Sequence, residues 1–252
     1  MNLLVSFESE PSRGGAAKAC ELRIRDTSMN YISALKVLHE TLRPTNYCEI
    51  GCRFGYSLSL SIAPAIGIDP DFEIKSQLSA PTRLFKMTSD EFFSQSNLSQ
   101  ILGGAIDFAF IDGLHVVEYA LRDFINIECN ASPASVVAID DLLPQHMDYA
   151  TRERNTQIWC GDVYRLAMIL EHYRPDLDIR IYDVEMKGFG VVSKLDPSSK
   201  VLANNYSKIA DDIASGRWSC HTVGEIRRRL QPKPVDLLAQ EVQALAHRRH
   251  YF

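Results

Sequence analysis

Short, almost wholly apolar runs alternate along this chain with longer stretches in which apolar residues recur at helical spacing. Tyr47–Ile50, Ala65–Ile68, 83–87, Ile106–Ile111 and 135–139 are runs of four to six residues that read as strands buried on both faces. Between them lie helical patterns. Tyr31, Ala34, Leu35, Leu38 and Leu42 predict a helix over 26–42, with Ser28 as N-cap and Pro44 beyond its end. Further helices are expected at 58–62, from Ser89 onward with Phe92 and Phe93, at 116–129 and at 161–173. Strands alternating with helices imply a parallel sheet, and right-handed crossovers make it doubly wound. The rhythm changes at 179–184 and 189–192. Only Met186-Lys187-Gly188 and its neighbours separate these runs, too little chain for a parallel return, so they form an antiparallel hairpin.

Past Leu195 the pattern is helical. Thr222 and Glu225 stand at capping-box spacing, and Leu237, Leu238, Val242 and Leu245 form an apolar stripe ahead of Arg248 and Arg249. We therefore divide the chain into an α/β domain at 1–195 and a helical C-terminal extension at 196–252. The stripe has two destinations, its own domain or a second copy in a homodimer.

Composition narrows the picture. The 252 residues are 46% hydrophobic and 23% charged, which excludes a disordered chain, a collagen-like repeat and a disulfide miniprotein. A net charge of −5 argues against nucleic acid as a partner. No apolar run reaches the roughly 18–20 residues that cross a bilayer, and the first fifteen residues lack the basic start of a signal peptide, so no membrane partner and a cytoplasmic location are expected. The six cysteines, at 20, 48, 52, 129, 160 and 220, include no Cys-x-x-Cys pair and read as free thiols.

In an open parallel sheet, ligands sit outside the carboxyl ends of the strands, so the residues just past each strand are the candidates for chemistry. The first strand runs into Gly51-Cys52-Arg53-Phe54-Gly55-Tyr56-Ser57, a glycine turn that lacks the third glycine of a dinucleotide fingerprint. Asp69 closes the second strand, where a carboxylate can accept from both ribose hydroxyls or act simply as a turn residue. Taken together, turn and acid favour a nucleoside-containing ligand. Ser89 is read first as a helix cap, and Ser89 or Asp90 also stands where an adenine contact would fall. Asp112 and His115 follow the fourth strand, and Asp140 and Asp141 end the fifth. Clustered carboxylates repel unless neutralised, and hard oxygen donors suit Mg2+ or Mn2+; the alternative is that they cap helices and face water. His115, three residues past Asp112, suits general-base work.

Glu49-Ile50-Gly51-x-x-x-Gly55-Tyr56-Ser57, Asp69, Asp112-Gly113-x-His115 and Asp140-Asp141, in that order, resemble the class I S-adenosylmethionine-dependent methyltransferases. The match is to the small bacterial members with a Phe-Ile-Asp-Gly-x-His motif, distant relatives of the catechol-type O-methyltransferases. The resemblance spans about 30–195 and implies a seven-stranded Rossmann-like sheet closed by the antiparallel hairpin. It places Glu49, Gly51 and Ser57 around the methionine part of S-adenosylmethionine and Asp69 on its ribose, with Gly55, Tyr56 and Asp112 also at the cofactor. It gives Asp112, Asp140 and Asp141 as ligands of a divalent metal, with Asp141 in place of the usual amide and His115 in place of a catalytic lysine. The function implied is O-methylation of a small hydroxylated acceptor such as a sugar, polyol or phenol. A nicotinamide-dependent oxidoreductase and a non-catalytic cofactor-binding protein are the alternatives. The segment Trp159-Cys160-Gly161-Asp162 also resembles these bacterial proteins; read from its residues alone, it is a helix start or a wall of the acceptor pocket.

Overall fold

The computed structural model describes residues 29–249. The chain opens with α1 (Tyr31–Leu42), then β1 (Tyr47–Ile50), β2 (Ala65–Ile68), β3 (Thr82–Phe85), α2 (Ser89–Gln95), α3 (Leu98–Leu102) and β4 (Ile106–Ile111). It continues through α4 (Val117–Cys129), β5 (Ala131–Asp140), α5 (Tyr164–Tyr173), β6 (Asp178–Tyr182) and β7 (Phe189–Ser193). Four helices complete it: α6 (Val201–Asn204), α7 (Tyr206–Ala214), α8 (Val223–Leu230) and α9 (Leu238–Arg249). The seven strands form one sheet in the order β3-β2-β1-β4-β5-β7-β6. β3 to β5 pair in parallel, while β7 runs antiparallel to both β5 and β6. The expected doubly wound sheet with a closing hairpin is what forms.

Burial on both faces explains the apolar strands. Ile50, Ala109, Ile111, Val137 and Ile139 pack on one face against α2, α4, α5, α7 and α8. Tyr47, Phe108, Phe110, Val136 and Ala138 pack on the other against α1 and α9. The C-terminal stripe thus finds its own domain. Leu238, Val242 and Leu245 are buried there, whereas Leu237 belongs to the preceding 3-10 turn and stays exposed. An extension whose residues enter both core clusters is part of the same folded unit.

Local chemistry moved several boundaries. Asn30 caps α1 through its side chain, and the expected cap Ser28 lies outside the described residues, as do Cys20 and the first fifteen residues. The stretch expected as a helix over 58–62 makes only a 3-10 turn at Leu58–Leu60. Ser61 turns extended there, and its hydroxyl bonds the Ala63 carbonyl, a local competitor to helix continuation. Thr88, not Ser89, caps α2, in a reciprocal capping box with Glu91. At α8, Thr222 accepts from the Glu225 amide, while the Glu225 carboxylate takes the amide of His221. Of the cysteines described, Cys48, Cys52, Cys160 and Cys220 are buried and free and Cys129 is exposed and free. No described helix is long and apolar enough to cross a membrane.

Candidate active site

The parallel register aligns the carboxyl ends of β2, β1, β4 and β5, and the expected residues emerge there side by side. Gly51 leaves β1 at φ +89°, donates its amide to the Ile68 carbonyl, and lies so close to the end of β4 that a Cβ would sit 1.8 Å from the Asp112 carbonyl oxygen. Only glycine allows that approach. Beside it, Asp69 accepts from the Arg53 amide at 2.9 Å and the Asp71 amide at 2.7 Å, one bond per oxygen. Each oxygen keeps a lone pair for a further donor. The turn is laced to the loop after β2 by bonds from Glu73 to Arg53 and from Lys75 to Phe54. Gly55 lies buried inside this lacing, and the Tyr56 ring projects outward, 53% exposed.

Glu49 and Ser57 bond one another. Glu49 is fully buried, and its carboxyl receives the hydroxyls of Ser57 at 2.5 Å and Tyr47 at 2.7 Å. Burial pushes it up to about 8 despite those bonds. The pair ties β1 to the turn that follows it. Ser89 and Asp90 both reach α4. Asp90 forms a two-pronged ion pair with Arg122 of α4, at 2.8 and 2.7 Å, and Ser89 bonds the buried Asp123 of the same helix. They hold α2 to α4.

The centre of the site is His115. Its Nδ1 lies 2.7 Å from the Trp159 carbonyl oxygen and 3.1 Å from Asp141 Oδ2. A carbonyl only accepts, so Nδ1 carries a proton and Nε2, 3.3 Å from Asp112 Oδ1, is the nitrogen with a choice. Burial alone would lower the imidazole, but Asp141 and Asp112 outweigh it and hold the ring protonated up to about 9. A ring held charged at neutral pH has to lose a proton before it can act as the general base expected of it. Asp112 is the more open carboxyl, 17% exposed against 2% for Asp141 and 1% for Asp140.

The unassigned segment 159–162 is what holds this histidine. The Trp159 indole stacks on the imidazole, centroids 4.9 Å apart, and its Nε1 bonds the Thr151 carbonyl. Gly161, at φ +58°, lets the segment close on the His115 backbone; a Cβ would sit 1.6 Å from its carbonyl oxygen. Asp162, fully buried, accepts the Val117 amide at 2.8 Å and so caps α4, whose own N-cap residue Val116 offers no side-chain bond. Arg152 and Arg165 neutralise Asp162. Sequence reasoning noticed these four residues but had no means of seeing that their partner stood at His115, 44 positions away.

Sequence reasoning also missed Lys187. Its ammonium stands 3.2 Å from Asp141 Oδ1 and 3.6 Å from Asp140 Oδ2. Burial pulls that ammonium down, but Asp140, Asp141 and Asp112 raise it further and keep it charged. Burial and the neighbouring Asp141 and Asp112 push Asp140 well up. A divalent cation on Asp112, Asp140 and Asp141 does not fit this arrangement. The groups that converge within 4.8 Å are Asp112, His115 and Asp141, while Asp140 faces Lys187. His115 would have to release its proton, and Lys187 would have to leave, before an ion could enter. The cofactor is a different case. Gly51, with no room for a side chain, and Asp69, with a spare lone pair on each oxygen, fit a nucleoside ligand laid across the ends of β1 and β2.

With that geometry in place, comparison with known proteins is informative. Residues 48–142 match a family model described as a methyltransferase domain. No curated protein matches the sequence. Among solved structures, cofactor-bound Rv0187 from MTB superposes with TM-score 0.50 at 12% identity, over 68% of this chain and 83% of that one. The O-methyltransferase TomG from Streptomyces achromogenes, in complex with SAM, gives 0.49 at 14% over 66% and 80%. The O-methyltransferase from Bacillus cereus, in complex with SAH, gives 0.46 at 17% over 70% and 86%. Identities this low speak for the fold alone. The match to a methyltransferase domain covers residues 48–142, the stretch that carries β1, β2, β4, β5 and the strand-end residues described above.

Proposed function

We propose that this protein transfers the methyl group of S-adenosylmethionine to an oxygen of a small hydroxylated acceptor, a sugar, polyol or phenol. One observation carries the reading: within the matched region, the Gly51 turn, Asp69 and Asp112 stand at three adjacent strand ends, with the Asp112–His115–Asp141 cluster beside them. Gly51, Gly55 and Tyr56 would line the methionine side of the cofactor, and Asp69 would take its ribose hydroxyls through its spare lone pairs. The bound sulfonium supplies an electrophilic methyl group. The chain's own task is then to orient an acceptor and accept its proton. With His115 charged at rest, Asp112 is the group that takes the proton, and His115 Nε2 fixes the carboxylate that does so. The acceptor enters through the open side of Asp112, beside the Trp159 ring.

Calorimetry with S-adenosylmethionine, its demethylated product and NAD tests the reading. The first two should bind and NAD should not; tightest binding by NAD would support the oxidoreductase alternative and overturn ours. Asp69→Ala removes a charged hydrogen-bond acceptor worth about 1.5–3 kcal/mol and should weaken cofactor binding about tenfold to a hundredfold. Binding without turnover of any hydroxylated acceptor would favour the non-catalytic alternative.

A further inference from the structure

The acidic end of β5 presents an electrostatic problem. Asp140 and Asp141 are buried almost completely, neither Asp140 oxygen accepts a hydrogen bond, and Asp112 lies close by. Buried carboxyls in such a group demand a counter-charge. Methyltransfer to oxygen can be assisted by a divalent ion at such a place, and the sequence invites that solution.

The structure supplies another. β7 pairs antiparallel with β5, Asp140 opposite Phe189, so the β6–β7 turn is carried to the very end of β5. The turn is bound there through its backbone: the Leu143 amide donates to the Lys187 carbonyl at 2.6 Å. Glu185 and Lys187 are joined by a further backbone bond inside the turn. A lysine whose main chain is held on both sides has only its side chain to place, and it places the ammonium between the two buried aspartates. The side chain is three-quarters buried, at 26% exposure, unusual for a turn lysine. On the far side of Asp141, His115 provides the second cation.

We propose that Lys187 is the resident cation of this site, its ammonium standing where a divalent metal would stand, so that the centre is complete without one. The inference rests on the methyltransferase reading for its meaning, but its test is separate from it. Lys187 is a positioning residue here: it holds Asp140 and Asp141 in place and leaves Asp112 as the one carboxyl free to meet a proton. Two like charges cannot share a space a few ångströms wide, so the ammonium and a metal ion exclude one another.

Manganese titration followed by EPR, on the full chain, decides the matter. Wild type should bind no Mn2+ in the site, whereas Lys187→Met and Lys187→Gln should gain a bound ion, with affinity raised on the order of tenfold or more. Lys187→Arg keeps the charge and should stay as silent as wild type, a control for any loss of fold in the neutral variants. Tight Mn2+ binding by wild type overturns the proposal without any variant. So does silence from well-folded Lys187→Met, because the ammonium is then not what excludes the ion. Calorimetry with S-adenosylmethionine reads the underlying function separately, so failure of one idea is not mistaken for failure of the other.

Discussion

Replacing Asp162 by alanine should unfold more than a surface ion pair would suggest. The carboxylate is fully buried and makes three contacts: the Val117 amide at 2.8 Å, Arg152 at 2.6 Å and Arg165 at 3.2 Å. A hydrogen bond to a charged group contributes about 1.5–3 kcal/mol, and its loss leaves the first amide of α4 without a partner. Arg165, at 15% exposure, would also be left with an uncompensated charge, whereas Arg152 is 45% exposed and still has Glu118. Removing one member of a buried pair costs about 3–5 kcal/mol, so Asp162→Ala should fall near 3–4. Asp162→Asn keeps an oxygen for the Val117 amide and loses the charge, for about 1–2 kcal/mol. Arg152→Ala touches a solvent-screened pair and should cost less than about 1 kcal/mol. Urea denaturation, with slopes checked for constancy, gives all three values. The ranking is the test. If Asp162→Ala lies within about 1 kcal/mol of wild type, or Arg152→Ala matches it, the claim that Asp162 caps α4 from a distance is wrong.

Gly161→Ala places a Cβ on the His115 carbonyl and a side chain at φ +58°, so it should lower turnover at least about tenfold with cofactor affinity little changed; undiminished kcat would mean that the segment does not position His115. Asp112→Asn should reduce kcat by about 10²–10⁴, and a variant within a few-fold of wild type would return the base role to another group. His39 is buried against Tyr47 and Phe108 with both ring nitrogens unbonded, and burial lowers it to about 4. Between pH 6.5 and 4 the unfolded chain therefore binds the extra proton, so this contribution is complete above 6.5 and about 3 kcal/mol is lost as pH falls through that window. His39→Phe should flatten that part of the stability–pH curve relative to wild type; parallel curves would refute the assignment.

Strands and strand-end chemistry were legible because each depends on a local signal. Apolar runs such as Ile106–Ile111 and a glycine followed eighteen residues later by Asp69 can be read without knowing any contact. What was not legible depends on pairings distant in the chain. The bonds from Ser57 to Glu49 and from Arg122 to Asp90 cannot be read from the sequence, because eight and 32 positions separate the partners. His115 looks like a near-neutral base in a line of text. Only the fold shows two carboxyl groups and a backbone carbonyl around it. Lys187 sits in a turn, where a lysine ordinarily reads as solvated; the antiparallel pairing of β7 with β5 is the one clue that it reaches Asp140. The missing helix after β1 has a plainer cause, since the hydroxyls of Ser59 and Ser61 bond backbone carbonyls of the same turn and compete with helix bonding.

The burial of Leu238, Val242 and Leu245 of α9 in the same cluster as Ala34, Leu35 and Leu38 of α1 bears on how the chain matures. The two helices flank the whole sheet in sequence, and the apolar surface they share with Phe108, Phe110 and Val136 is sealed only when both are present. During translation, α1 and the first strands leave the ribosome long before their lid is made. At about 5–20 residues per second, the wait is on the order of ten seconds or more. In that interval, one face of the growing sheet is an adhesive surface, exposed to other nascent chains and to chaperones. The opposite face begins to close earlier, as α2 to α5 arrive among the strands they cover, and α7 and α8 complete it. Maturation is therefore lopsided, and α9, made after every strand, is the segment that ends the vulnerable period.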